Sequence, residues 1–234
     1  YQKALYPTSI PATEDDLRIE QALTREVLQL ALQQAHKKFD RNASKIRANL
    51  LPIFEVILAG GSVLTNTPTL GQSLLILLDA VQPIGISTII LDQNNLLPVL
   101  GAAASNNSLL PVQVLESGAF ITLASAISPV SSARYGSKIL RAQLNYDDGT
   151  ENGIELKQGG FESLRLRIGQ SARLTLQPLQ RTDIGFGPGK QTSMRINGSA
   201  LGIVLDGRER PLNLTTDSVR RRELMKKWLW TVGG

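Results

Sequence analysis

Two stretches of the chain place apolar side chains at helical spacing. Between Thr13 and about Phe39 they recur every three or four residues, which puts them on one face of a helix. Thr13 followed by Asp16 has the form of a capping pair, with Asp in place of the usual Glu. A second run, Leu70–Val81, stops before Pro83, because proline cannot continue a helix. We predict a long amphipathic helix and a shorter helix here.

Two short, nearly continuous apolar runs flank the second of these helices. Residues 52–59 lead into a glycine turn at 60–62, and residues 86–91 end at Asp92. Runs of this length, bounded by turn residues, are typical of buried parallel strands. The order strand, glycine turn, helix, strand therefore predicts an α/β sheet covered on both faces.

The pattern after Asp92 predicts one more helix and one more strand in the first half. Asn94 or Asn95 can cap a short helix that runs through Ala104. Residues 111–115, which begin with Pro111 and contain two valines, are expected to be extended.

The second half of the chain has a different character. From Gly118 to Leu214, short alternating segments are separated by glycine-rich turns about ten residues apart, which predicts a small antiparallel β-barrel or sandwich. Thr216 and Asp217 then precede a basic, amphipathic final helix. We place the domain boundary within residues 118–135, and assign residues 1–125 to the α/β domain and 126–234 to the β-rich domain.

Composition excludes several kinds of active site. The 234 residues include 42% hydrophobic and 19% charged side chains, which is typical of a folded globular protein. Cysteine is absent and His36 is the sole histidine, so thiolate zinc sites, multi-histidine metal sites and cysteine nucleophiles are excluded. We interpret His36 as a solvated helix residue and expect neither a catalytic nor a metal-binding residue. The lack of cysteine is typical of a cytoplasmic protein.

Charge separates the halves and suggests a partner class. Residues 1–118 carry 8 basic and 10 acidic residues, whereas 119–234 carry 17 and 10, so the positive charge lies in the second half. An acidic partner protein fits this charge, but a basic surface that binds no partner is the favoured interpretation. Nucleic acid is the less favoured partner, because aromatic residues for stacking on bases make up only 5% of the chain. We find no membrane span, and expect Trp228 and Trp230 to pack onto the protein.

Gly60, Gly61 and Ser62 form the main candidate binding site. Ligands of open α/β folds bind beyond the carboxyl ends of the strands, and glycines let a ligand approach the backbone without meeting a Cβ. On the pattern alone, a structural turn that binds nothing remains the alternative. Asp92 ends the next strand, and we interpret it as a helix cap rather than a ligand.

Two other motifs do not satisfy functional patterns. Residues 185–190 resemble a phosphate-binding loop, but Ile184 and Gln191 occupy positions where such a loop needs Gly and Ser or Thr. We predict a hairpin tip there. Asp147 and Asp148 precede Gly149 and have the composition of a turn.

The glycine turn also carries a resemblance to known proteins. The segment from Val56 to Leu64 resembles the adenosine motif of the superfamily of actin, sugar kinases and heat-shock chaperones. Further positions resemble the glutamate mutase L family over most of residues 50–230: Leu64, Thr65, Pro68, Gly71, Gln72, residues 77–80, Gln82, Pro83, residues 201–206 and Arg210 to Leu212. The resemblance implies an actin-like, ribonuclease-H-like half-domain in residues 1–125.

The same resemblance implies a function. Members of the family are ATP-using accessory or reactivating proteins of adenosylcobalamin-dependent mutases, so Gly60 and Gly61 would line an adenosine pocket with Ser62 beside it. The Asp-x-Gly-[ST]-[ST] phosphate loop of such proteins has no counterpart here. We therefore expect ATP or ADP to bind the full-length protein and this chain, which begins at Tyr1, to be a C-terminal fragment without activity of its own. The alternative is a non-enzymatic interaction module whose basic β-domain binds an acidic partner.

Overall fold

The computed structural model describes residues 2–6, 9–35, 38–39 and 50–233. The helices in these ranges are α1 (Gln2–Leu5), α2 (Glu14–Ala35), α3 (Ser62–Thr65), α4 (Leu70–Val81), α5 (Leu97–Ala104), α6 (Leu109–Glu116) and α7 (Ser218–Thr231). The strands are β1 (Val56–Gly60), β2 (Gly85–Asp92), β3 (Ile121–Ser128), β4 (Lys138–Tyr146), β5 (Glu151–Lys157), β6 (Phe161–Leu164), β7 (Ser171–Pro178), β8 (Thr192–Asn197) and β9 (Ile203–Asp206).

The central element is a mixed five-stranded sheet with the order β1-β2-β3-β9-β6. β1 and β2 are parallel neighbours joined through α4, as the strand–turn–helix–strand pattern predicts, and their carboxyl ends meet where Gly60 pairs with Asp92. β3 runs antiparallel to β2 and parallel to β9, and β6 closes the other edge antiparallel to β9. The glycine turn therefore lies at one corner of this sheet.

The remaining strands form an open antiparallel sheet, β5-β4-β7-β8. Of the two predicted forms, a barrel or a sandwich, the barrel is wrong for the described residues, because β5 and β8 remain the two edges of this sheet, and the packing of two sheets agrees with the sandwich. Instead the four strands pack face to face on the five-stranded sheet, and Ile127, Leu164 and Leu205 share one core with Leu140 and Leu174. Burying one apolar face against a second sheet removes the need for closure.

Helices cover the opposite face of the five-stranded sheet. Leu74 and Leu78 of α4 and Trp228 of α7 pack with Phe161 and Val204, so the molecule has three layers, helices, mixed sheet and antiparallel sheet. Trp228 packs onto the protein as expected, but the prediction is wrong for Trp230, which is 82% exposed. The two residues differ because positions two apart on a helix point in different directions.

Local chemistry explains where the helices begin. Thr13 and Asp16 exchange backbone and side-chain hydrogen bonds, which confirms the capping pair ahead of α2. The prediction of an extended segment at residues 111–115 is wrong, because these residues lie in α6. The Asn107 carboxamide oxygen accepts from the backbone N–H groups of Leu109 and Leu110. Pro111 is tolerated in the first turn, where the backbone N–H groups have no helical partner.

Some predictions remain untested. The boundary between residues 125 and 126 falls within β3, and β6 and β9 return to the same sheet as β1, so the division into two domains stays a prediction. The actin-like classification also stays a prediction. His36 lies outside the described residues. Within the described part of the chain, no helix combines the length and apolar character needed to cross a membrane.

Candidate functional site

The predicted site residues occupy the turn between β1 and α3. Gly60 ends β1, Gly61 precedes α3, and Ser62 is the first residue of α3. Gly61 has a φ of 115°, a backbone conformation that residues with a Cβ rarely adopt. A Cβ built on Gly60 would lie 3.5 Å from the Asp92 Cβ. The positive φ therefore explains the glycine at Gly61, whereas a Cβ at Gly60 would make only an ordinary van der Waals contact with Asp92.

This turn is open on its outer side. All three residues are exposed, and a Cβ placed on Gly61 would meet no atom within 4 Å. β1 is an edge strand whose Val56 and Leu58 are 55% and 42% exposed, so the prediction of a buried strand is wrong for β1. The backbone of Gly60 and Gly61 therefore faces open space on one side of the turn.

Asp92, at the carboxyl end of β2, caps the start of α5. Its side chain is buried, and its Oδ2 accepts a hydrogen bond from the Leu97 N–H at 2.8 Å. Its Oδ1 accepts from the Asn94 N–H at 3.3 Å. Both carboxylate oxygens are used, so Asp92 contributes to the helix start as predicted. The prediction that Asn94 or Asn95 caps α5 is wrong, because Leu96 occupies the N-cap position and makes no side-chain cap hydrogen bond.

The loop at residues 185–190 is held by a carboxylate. The Asp183 Oδ1 accepts from the N–H groups of Gly185 at 2.8 Å and Gly187 at 3.0 Å. A phosphate-binding loop needs such N–H groups free to point at the ligand. The loop lies in the connection between the antiparallel strands β7 and β8, which agrees with the predicted hairpin tip, and Asp183 occupies its N–H groups.

Asp147 and Asp148 are also structural. Asp148 accepts two hydrogen bonds from Thr150, from its hydroxyl and its backbone N–H, and they lower the pKa of the Asp148 carboxyl. Asp147 forms an exposed ion pair with Arg195 at 3.0 Å. These contacts confirm the turn interpretation. No group of three or more acidic or histidine side chains in the described residues is arranged to hold a metal ion.

A buried ion network lies at the other end of the five-stranded sheet. Asp206, at the end of β9, is fully buried and accepts from Arg208 at 2.8 Å and from Arg210 at 2.6 Å. Arg208 also pairs with Asp79 of α4 at 2.7 Å, and Asp79 pairs with Arg25 of α2 at 3.3 Å. The network thus joins α2, α4 and β9.

The pKa values of this network follow from burial and charge. Burial alone would raise the pKa of Asp206, but the guanidinium groups of Arg208 and Arg210 overcome that effect and hold it well below its ordinary value. Burial would likewise lower the pKa of Arg208, but Asp206 and Asp79 raise it above its usual value. Asp206 and Arg208 are therefore both charged at neutral pH.

Aromatic rings enclose the Arg208 guanidinium. Its central carbon lies 5.0 Å from the centre of the Phe161 ring and 4.6 Å from that of Trp228, within the range of a cation–π contact. The sequence pattern assigned no role to these side chains. Asp206 ends β9, and Arg208 and Arg210 follow it at every second position; this close spacing of one acid and two arginines is the signal that could have found them.

Comparison with known proteins identifies the family. The model of the MutL protein family, the glutamate mutase L family, matches residues 1–118 and so covers the glycine turn. The chain belongs to the MutL family. No curated protein and no solved structure matches the chain. The MutL match ends before β3, so the resemblance noted at residues 201–212 stays a prediction.

Proposed function

We propose that this MutL-family chain supplies the adenosine wall of an ATP or ADP site in an accessory protein of an adenosylcobalamin-dependent mutase. The family match carries the proposal, because it includes Gly60, Gly61 and Ser62. The MutL family is associated with the components of glutamate mutase, which supports a mutase as the partner.

The geometry of the turn supports a nucleoside as the ligand. The turn lies beyond the carboxyl ends of two parallel strands, where α/β folds bind nucleotides. The backbone at Gly60 and Gly61 can approach a flat base or a ribose ring closely, because no Cβ lies in the way. The exposed Ser62 hydroxyl can donate to a ribose or base acceptor. We assign these residues binding and positioning of adenosine, and we assign hydrolysis to none of them.

Titration of the native full-length protein with ATP and ADP tests this site. We expect Gly61→Glu to weaken binding by about tenfold or more, equivalent to about 1.4 kcal/mol, because a long charged side chain enters the open space in front of the turn. Ser62→Ala loses one hydrogen bond, so we expect a loss of about two- to tenfold.

Gly169→Glu is the matched control. Gly169 is exposed, has a φ of 84° and has no atom within 4 Å of a built Cβ. A side chain there is therefore also strained by a positive φ, but it lies far from the site along the chain. We expect its nucleotide affinity to equal that of the wild type. Equal affinity of wild type and Gly61→Glu, with both proteins folded, would show that the turn is not the binding wall.

A further inference from the structure

A groove with a volume of about 290 Å³ lies beside α7, against the loop that follows the buried ion network. Leu214, Leu224 and Trp228 contribute apolar lining, and Tyr135 forms one wall. A Cβ on Gly159 would collide with the Tyr135 ring at 2.1 Å, so the ring lies directly against that glycine. The groove is therefore apolar along its base and has an aromatic side.

The base of the groove contains a buried tryptophan and an arginine whose charge is paired. Trp228 is buried and packs on the Arg208 guanidinium, which also lines the groove. The charge of Arg208 is balanced by Asp206 and Asp79. Arg208 thus holds the shape of the groove, and its charge is not available to a ligand.

Arg220 and Arg221 supply the available charge. Both line the groove, and neither forms an ion pair with any residue the structure describes. Arg221 donates to the Thr215 carbonyl oxygen at 3.3 Å, which leaves its charge uncompensated. α7 carries five basic residues and one acidic residue, and the acid among the groove residues is Glu209.

We propose that this groove binds an acidic segment of a partner protein, with an apolar side chain against Leu214 and Leu224 and carboxylates on Arg220 and Arg221. A guanidinium binds a carboxylate through two parallel hydrogen bonds. A peptide supplies both an apolar side chain and neighbouring carboxylates, as the lining requires. This deepens the interaction-module hypothesis by naming its surface, and it stands independently of the nucleotide site.

Selection of short random peptides on the full chain tests the groove directly, since the peptides themselves serve as the probe. We expect the selected sequences to be rich in Asp and Glu around Leu or an aromatic residue. Fluorescence anisotropy of one selected, labelled peptide then gives its affinity. Binding should weaken as NaCl rises from about 0.05 M to about 0.5 M, because salt screens exposed charges.

Charge reversal locates the binding surface. We expect Arg220→Glu/Arg221→Glu to weaken peptide binding by about a hundredfold, because exposed guanidiniums that meet a ligand are replaced by repelling carboxylates. Acids in the first turn of a helix are favourable, so α7 should remain folded, as far-ultraviolet circular dichroism can verify. The matched control is Arg222→Glu, which lies in the same turn but outside the groove lining and should keep affinity within about threefold.

The two proposals fail separately. Peptide binding should survive Gly61→Glu, and ATP affinity should survive the double arginine substitution. Selection that yields no binding peptide, or peptides without acidic residues, overturns the groove proposal. So does a loss in Arg222→Glu as large as that in the double variant. If ATP at low concentration displaces the peptide, the groove is a nucleotide site and the proposal is also overturned.

Discussion

The two ends of the five-stranded sheet differ in how their functional residues are held. At one end, the turn of Gly60, Gly61 and Ser62 is exposed, lies on an edge strand and falls inside the MutL match. At the other end, Asp206 and Arg208 are buried in an ion network and lie outside that match. The family match therefore covers the exposed glycine turn, whereas Asp206, Arg208 and Arg210 of the buried cluster lie beyond it.

Burial is the physical reason for this difference. A buried charge must be paired, because removing it from water costs several kcal/mol, so Asp206 fixes the positions of the side chains around it. An exposed glycine turn can be solvated by water and places no such demand on its neighbours. The ion network thus determines the geometry of the nearby groove, whereas the glycine turn offers one preformed wall.

The largest expected effect is on the buried end. Asp206→Asn should destabilise the protein by about 3–5 kcal/mol, because it leaves Arg208 and Arg210 buried without their shared carboxylate. Urea unfolding measures this change. Asp148, which lies in an exposed turn, provides the control. Asp148→Asn should change the urea midpoint of unfolding little. A small loss in Asp206→Asn would mean that the network adds no more stability than an exposed turn.

Acid should affect the same end next. The pKa of Asp206 is lower in the folded protein than its ordinary value of about 3.9, so its contribution to stability is complete above about pH 5 and is lost as pH falls below about 4. The contribution is on the order of 2 kcal/mol for one paired carboxylate. Urea unfolding at a series of pH values should give a steeper decline for wild type than for Asp206→Asn, and parallel curves would contradict the assignment.

The contact between α4 and the end of α7 should have the third-largest effect. Gly71 of α4 is in contact with the end of α7, and a Cβ there would lie 2.5 Å from the Val232 carbonyl oxygen. Gly71→Ala should cost about 1–3 kcal/mol. Gly101→Ala is the matched control, since that helical glycine has no atom within 4 Å. It should gain about 0.5–1 kcal/mol, and urea unfolding that gives both variants the same sign would contradict the close contact.

The smallest effect is expected beside the glycine turn. Asp92→Ala removes the cap of α5 and should cost about 1 kcal/mol. Hydrogen exchange should show faster opening at the Leu97 amide and through α5, with the second sheet unchanged. Faster exchange throughout the molecule would show that the turn is coupled to the whole fold, and the contrast between the two ends would then be wrong.

Much of the first half of the chain was predictable from local pattern. The bounds of α4 agree with the prediction, and the capping pair before α2 and the strand that ends at Gly60 are present. The prediction of an extended segment at residues 111–115 was wrong because valine is favoured in strands and proline is compatible with both a strand end and a first helical turn. The Asn107 cap decides in favour of the helix.

The prediction of a closed barrel was wrong because of the way the two sheets pack together. Alternation along β4 and β7 predicts that each strand has one apolar face, but it does not reveal what covers that face. Ile127 and Leu205, from strands of the other sheet, cover it. Trp228 and Trp230 illustrate the same limit, since the two tryptophans are distinguished by the helix face that meets α4 and β6.

The sequence by itself determined the family, the mixed α/β class, the position of the glycine turn and the basic character of the second half, because these depend on residue type and short-range spacing. Tertiary structure decided which charges are buried, which arginines of α7 line the groove without an ion pair to a described residue, and that the four-stranded sheet stays open. Those features depend on contacts between residues far apart in the chain, such as Asp79 with Arg208. Their energies arise from burial and pairing in three dimensions, which no local pattern encodes.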